Sequence, residues 1–333
     1  DLDIKNKQSV NKMSQIRITP VHLACINPNE KIIEELIEKG GELEFQDSRG
    51  RKPISFAATC AGTGPLKVLI DNRCNVNDRE SNGFTPIIHA CRTGRYDNVK
   101  LLIEKGANVL HKPRPGYSMA IHYACNSNDK LNIVKLLLEK EPSLLEVTGM
   151  GKKTPLHFAV EYNAEIIVEY LVEQGAKLNA MDKFRRSPLL LAAKLGHTRI
   201  LSYLISKGAD IKKGDNSNNT PLHYACGYGH KECVQLLLDA GAELNCLNMW
   251  KSLPIEIALL KNHFGIVKFL LNSNECDVDS TFGNGNTVLL HSISEIMPET
   301  LEEIKYLIKD KNANVNVKND DKMNALHMLT NFT

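Results

Sequence analysis

The sequence predicts an all-α solenoid of stacked helix pairs with short β-hairpin fingers between them, and three observations predict it. First, the phrase "TPLHFA" at 154–159 returns as "TPLHYA" at 220–225. Looser copies place the phrase starts near 19, 52, 85, 119, 154, 187, 220, 253, 287 and 324, so that neighbouring starts are 33 to 37 residues apart. Second, the copies before the last, truncated one carry the same helix, turn, helix and finger signals in the same order. Third, each helix pair is too small to bury its apolar stripe alone, so stability has to come from contacts with neighbouring copies.

The elements of one copy can be justified in turn. Thr154 or Thr220 is a good helix cap, and Pro155 or Pro221 follows at the first helical position, where a missing N–H costs nothing. A short apolar helix such as "LHYAC" comes next, then a turn of small residues such as "GYGH" at 227–230. The second helix shows helical spacing, as in Ile200, Leu201, Leu204 and Ile205, or Ile133, Val134, Leu137 and Leu138. Gly106, Gly175, Gly208 and Gly241 end second helices where a left-handed residue is wanted. An extended alternating piece such as "AELNC" then leads into a polar fingertip.

These residues resemble the ankyrin repeat family, whose signature contains T-P-L-H-x-A at a period of about 33. The resemblance covers essentially the whole chain. It implies L-shaped units of two antiparallel helices and a projecting hairpin, stacked in a curve whose concave side usually binds other proteins.

"DLDIKN" at 1–6 matches "NVNVKN" at 314–319, which ends a finger just before the tenth copy. Residues 1–18 are therefore expected to be the tail of a preceding repeat plus an enlarged finger loop. Residues 19–333 are expected to be repeats, the last one truncated, and the chain an excerpt from a longer array or a larger multidomain protein. Irregular copies are expected at "HKPRPGYS" (111–118), where two prolines spoil a regular hairpin. Two more lie at "KEPSLLEVTGMG" (140–151) and "SISEIMPETLEE" (292–303), with Pro298 and Glu299 opening a late helix.

Composition removes several function classes. A formal charge of +2 gives no reason to expect nucleic acid, and no apolar run is long enough to enter a bilayer. The first residues lack the apolar stretch of a signal peptide. Nine scattered cysteines fit free thiols in a reducing compartment, so an intracellular, cytoplasmic setting is expected.

Catalytic and metal chemistry is not expected, nor is a cofactor. His22 with Cys25, His122 with Cys125 and His223 with Cys226 have half-site zinc spacing, but they recur at the repeat period instead of converging. The resemblance implies that this histidine bonds near the threonine cap. "GNGN" (283–286) and "GTG" (62–64) complete no phosphate-loop pattern. No nucleophile or carboxylate constellation stands out from the repeat background. The chain reads as a non-enzyme.

Binding must then lie where copies differ, at the fingertips and late in the first helices. Trp250, the only tryptophan, falls on a fingertip beside Met249, with Phe184 at the equivalent place two units before. Tyr162 and Tyr228 share a variable first-helix position. Lys152 and Lys153, then Lys183, Arg185 and Arg186, then Lys212 and Lys213 suggest a basic stripe over consecutive fingers. The expected partner is another protein carrying an acidic or phosphorylated segment, gripped by these cations with Trp250 and Phe184 as apolar anchors. The alternatives are a solvated basic edge and a tryptophan folded flat on a neighbouring finger. At the level of the whole protein, the interaction scaffold competes with a regulatory or substrate-recruiting arm of a larger enzyme or channel. An architectural component of a large assembly is the third reading.

Overall fold

The computed structural model describes residues 17–273, 276–282, 285–294 and 300–330. The repeat tail and loop expected over 1–18 fall almost entirely outside the described residues, as do Pro298 and Glu299. Nineteen α-helices are present among the described residues, and no strand. The chain divides after Lys177 into two compact units.

The first unit runs α1 (Pro20–Ala24), α2 (Glu30–Glu38), α3 (Pro53–Ala57), α4 (Gly64–Asp71), α5 (Pro86–Thr93) and α6 (Tyr96–Glu104). It continues with α7 (Ala120–Ala124), α8 (Leu131–Lys140), α9 (Pro155–Glu161) and α10 (Glu165–Glu173). The second unit runs α11 (Pro188–Leu195), α12 (Thr198–Ser206), α13 (Pro221–Gly227), α14 (Lys231–Asp239), α15 (Pro254–Leu260) and α16 (Phe264–Leu271). It ends with α17 (Val288–Ser294), α18 (Thr300–Lys309) and α19 (Ala325–Thr330). Odd-numbered helices open a repeat and even-numbered ones complete it. In each unit the odd helices pack on one another in series, from α1 to α9 and from α11 to α19.

Two periodic positions explain this packing. Alanine stands five residues after the start of the phrase in eight copies, including Ala90, Ala159, Ala192 and Ala225, all with no exposed surface. A side chain this small lets successive first helices approach closely. In the second helices an apolar pair three residues apart faces inward, as in Val99 and Leu102, Val168 and Leu171, Leu201 and Leu204, or Val267 and Leu270. All eight are fully buried. Burying such side chains stabilises by about 1.5–3 kcal/mol each. The first helices span only five to eight residues. A proline starts most of them, and the turn to the second helix follows almost at once.

The fingers are hairpin tips without strand ladders. In each of six or more copies one N–H bonds the carbonyl four residues on, for example Asp47 N to Arg51 O at 2.9 Å and Asp182 N to Arg186 O at 3.1 Å. The amide three residues on bonds back, as Gly50 N does to Asp47 O at 3.0 Å. The arms are too short for further pairing. Fingers bond to each other instead, with Met249 N donating to Ser217 O at 2.9 Å. In the finger at 111–118, with its two prolines, His111 reaches across and its Nε2 meets Gly83 O at 2.7 Å.

Candidate functional site: a groove between fingers and first helices

Several fingertips are organised by one buried Asp or Asn. Oδ1 of Asp182 accepts from the amides of Phe184 (2.8 Å) and Arg186 (2.9 Å). Oδ1 of Asn248 accepts from Trp250 (3.0 Å) and Ser252 (2.9 Å) in the same way. Asp47 and Asp215 repeat the pattern. The residue two places after this anchor is therefore held at the tip facing out, and it is Arg49, Phe184, Ser217 or Trp250. The next residue has a left-handed backbone, at φ 75° for Gly50, 59° for Arg185 and 58° for Lys251. Burial alone would raise the Asp182 carboxyl, but the Arg186 side chain, with the amides of Arg186 and Phe184, outweighs it and holds the group below its ordinary value.

The candidate residues fall into both units. In the first, Lys152 is exposed at a left-handed position of its finger. Lys153 bonds both carboxylate oxygens of Glu161 at 2.7 Å. Tyr162 caps the C-terminus of α9, exposed, with its ring stacked 6.4 Å from Phe158. In the second, Arg186 turns back onto Asp182 at 2.6 and 2.9 Å, while Lys183 and Arg185 are exposed. Phe184 has Lys183 Nζ 4.6 Å and the Arg186 guanidinium carbon 4.8 Å from its ring centroid. Lys212 pairs with Glu243 at 2.6 Å on the surface. Lys153 and Arg186 thus bond carboxylates of their own repeats, so not every cation of the expected stripe is open to a partner.

Trp250 and Tyr228 come together. They line a groove of about 770 Å³ in the second unit, between α13 and α15 and under the fingertips at 216–219 and 248–252. Tyr224, Ile257, Leu260 and Lys261 complete its walls. Trp250 is 62% exposed, Leu260 53% and Tyr228 52%, so three large apolar side chains border one opening. Met249, 59% exposed, stands beside Trp250 on the tip. Gly227 keeps the opening clear, since a Cβ there would come within 2.7 Å of Ile257 Cγ2.

The tyrosine wall is fixed in place. Tyr224 donates its hydroxyl to Asp215 Oδ2 at 2.8 Å, and its ring lies 6.1 Å from that of Tyr228. Lys194 Nζ sits 5.8 and 5.4 Å from those two rings. Burial and the Asp215 bond push the Tyr224 phenol well above its ordinary value, so it stays a donor. Sequence reasoning missed Tyr224, Ile257, Leu260 and Lys261.

The recurrent histidines are structural. Nδ1 of His22, His157 and His223 accepts from the amide of its own cap threonine at 3.2 Å in each case. Nε2 of His22 and His223 faces a carbonyl of the next finger, Arg51 O at 3.2 Å and Ser252 O at 3.1 Å. A carbonyl can only accept and an amide can only donate, so the ring must be neutral with its proton on Nε2. Burial, the largest cause, lowers the basicity of His22 and His223, and lowers that of His122 to about 4. Among the described residues no group of three or more His, Cys, Asp or Glu could hold a metal ion. No described helix is long and apolar enough to cross a membrane.

A family model described as ankyrin repeats matches this sequence in three copies, over residues 21–113, 111–182 and 175–248. No curated protein matches it. The repeating helix pairs continue past the last matched residue through α15 to α19.

Proposed function

The chain belongs to the ankyrin-repeat family, and from that premise we propose that it is a non-enzymatic scaffold that seats a partner protein on its finger-and-first-helix face. Ankyrin repeats generally mediate protein–protein interaction. The observation carrying the finer reading is the groove in which Trp250, Tyr228 and Leu260 meet. Most repeat positions are filled by packing residues, whereas these three sit where packing asks for nothing and water is in contact with large apolar surface. Trp and Tyr are the residues that most often dominate interface energies when they enter a partner's pocket or receive its side chain.

The proposed partner offers an apolar side chain to this groove and an acidic or phosphorylated segment to the exposed cations nearby on the same unit, Lys183 and Arg185. Lys152 and Tyr162, on the first unit, are proposed as further contacts. Met249 and Phe184 extend the apolar rim on the fingertips.

The test is affinity capture with the full chain as bait, beside Trp250→Ala and Arg185→Glu. One dominant partner should be recovered. Trp250→Ala should weaken its capture about tenfold or more, as expected of a hot-spot aromatic. Arg185→Glu should weaken capture mainly at low salt. A dominant partner that ignores both substitutions would remove the reading. Many weak partners held along the second helices would favour an architectural role.

A further inference from the structure

The first unit contains a second groove that is also bordered by a fingertip residue and a late first-helix residue, but with opposite chemistry. In the second unit Trp250 stands two residues after the finger anchor Asn248, and Leu260 stands seven residues after the helix cap Leu253. In the first unit those positions border a groove of about 450 Å³ and are held by arginines. Arg49 stands two residues after Asp47, and Arg92 seven after Thr85. Trp250 and Leu260 belong to one copy, whereas Arg49 and Arg92 come from two consecutive copies, so this groove is formed where one fingertip faces the first helix of the next repeat, α5.

The surrounding charges leave these two guanidinium groups without a counter-charge. Three arginines line the groove against one carboxylate, Glu80. Glu80 Oε2 is bonded to His89 Nε2 at 3.1 Å. Asp47 is bonded to Arg51, both to its Nε and to Nη2, at 2.7 Å. Asp78 is bonded to Lys52 at 2.7 Å. Asp47, Asp78 and Glu80 are therefore engaged, while Arg49 and Arg92 are exposed and meet no carboxylate among the described residues. The floor is aromatic. Phe84 packs edge-on against Tyr117 at 5.1 Å, Tyr123 at 5.6 Å and His89 at 5.7 Å, and Arg92 lies 5.9 Å from its ring centroid. An aromatic floor lowers the local dielectric and strengthens any ion pair made above it.

We infer that this groove is a second, separate docking site, selective for an acidic segment of a partner protein. An Asp or Glu carboxylate is held by Arg49 and Arg92, and the neighbouring residue lies on the Phe84 and Tyr117 rings. The inference rests on the proposed interaction role and adds a site with its own selectivity. A carboxylate presents two oxygens in a plane, which suits a guanidinium fork better than a lone ammonium group.

The test pans the full chain against a random peptide library, with a second library carrying phosphorylated Ser, Thr and Tyr. The wild type should enrich unphosphorylated peptides containing Asp or Glu. Their affinity should fall about tenfold or more in Arg49→Glu and in Arg92→Glu, and less in the two Ala variants. Acidic peptides that bind the charge-reversed chains equally well would overturn the inference. So would enrichment confined to phosphorylated peptides, which would assign the groove to phosphate. Enriched peptides lost only in Trp250→Ala would overturn it too while leaving the Trp250 groove as the interaction site. No enriched peptide of any kind would count against both readings.

Discussion

His223 reaches from one repeat into the next, its Nε2 meeting the carbonyl oxygen of Ser252 at 3.1 Å. The same ring accepts from the Thr220 amide at 3.2 Å, so one neutral imidazole closes a helix cap and ties two repeats together. His22 does the same with Thr19 and Arg51. Stability between neighbours therefore depends on those rings staying uncharged.

This dependence predicts acid lability. The folded state lowers the proton affinity of His22, His122 and His223, while the unfolded chain binds protons near the ordinary value of about 6.5. Above that pH the rings are neutral in both states and their contribution is fully present. As pH falls from about 6.5 toward about 4, the value for His122, the unfolded state takes up protons that the folded state refuses, and stability drops. Urea midpoints should hold steady from pH 8 to 7 and fall between pH 6.5 and 5. His223→Gln should make that fall shallower.

Ser292 occupies the periodic position that holds alanine in eight copies, and its hydroxyl is buried without a hydrogen-bond partner among the described residues. Ser292→Ala removes this unpaired group with almost no change in volume. It should raise stability by about 1 kcal/mol, read from denaturant unfolding.

Asp182→Ala takes away the acceptor of the Phe184 and Arg186 amides and leaves the Arg186 guanidinium without its carboxylate. A loss of about 2–3 kcal/mol is expected, because charge-assisted bonds are lost and buried donors stay unpaired. Asp182→Asn keeps the amide acceptors and should recover part of the loss, as Asn248 already serves in the equivalent finger.

Gly227→Ala tests whether the groove is kept open by its glycine. The new methyl would stand 2.7 Å from Ile257 Cγ2, and crowding of this kind typically costs about 1–3 kcal/mol. Combining it with Ile257→Leu, which lacks the branched methyl, should cost less than the two changes separately in a double-mutant cycle.

Much of this architecture was legible in the sequence, because stacking imposes one period on every copy. Thr-Pro at 154–155 and 220–221 marks helix starts, and alanines such as Ala192 mark contacts between first helices. The periodic histidines read as cap residues in the sequence, and His22 and His223 make those cap bonds. The groove was less legible. Leu260 ends the apolar run "PIEIALL" and resembles core, yet its position seven residues past the cap faces outward. Arg186 and Lys153 look like surface cations in sequence, but their partners, Asp182 and Glu161, become apparent only when a finger folds back on its anchor or its helix. Arg49 and Arg92 lie 43 residues apart and carry no joint signal until consecutive repeats stack.

Trp250, the single tryptophan of the chain, reports on the central claim directly through its own fluorescence. With the indole exposed at the fingertip, emission from the free protein should be red-shifted and strongly quenched by acrylamide. Titration with the partner recovered by affinity capture should shift that emission to the blue and protect it from the quencher, at the same concentration at which binding saturates. A partner that binds fully while the emission and quenching of Trp250 stay as in the free chain would contradict the account.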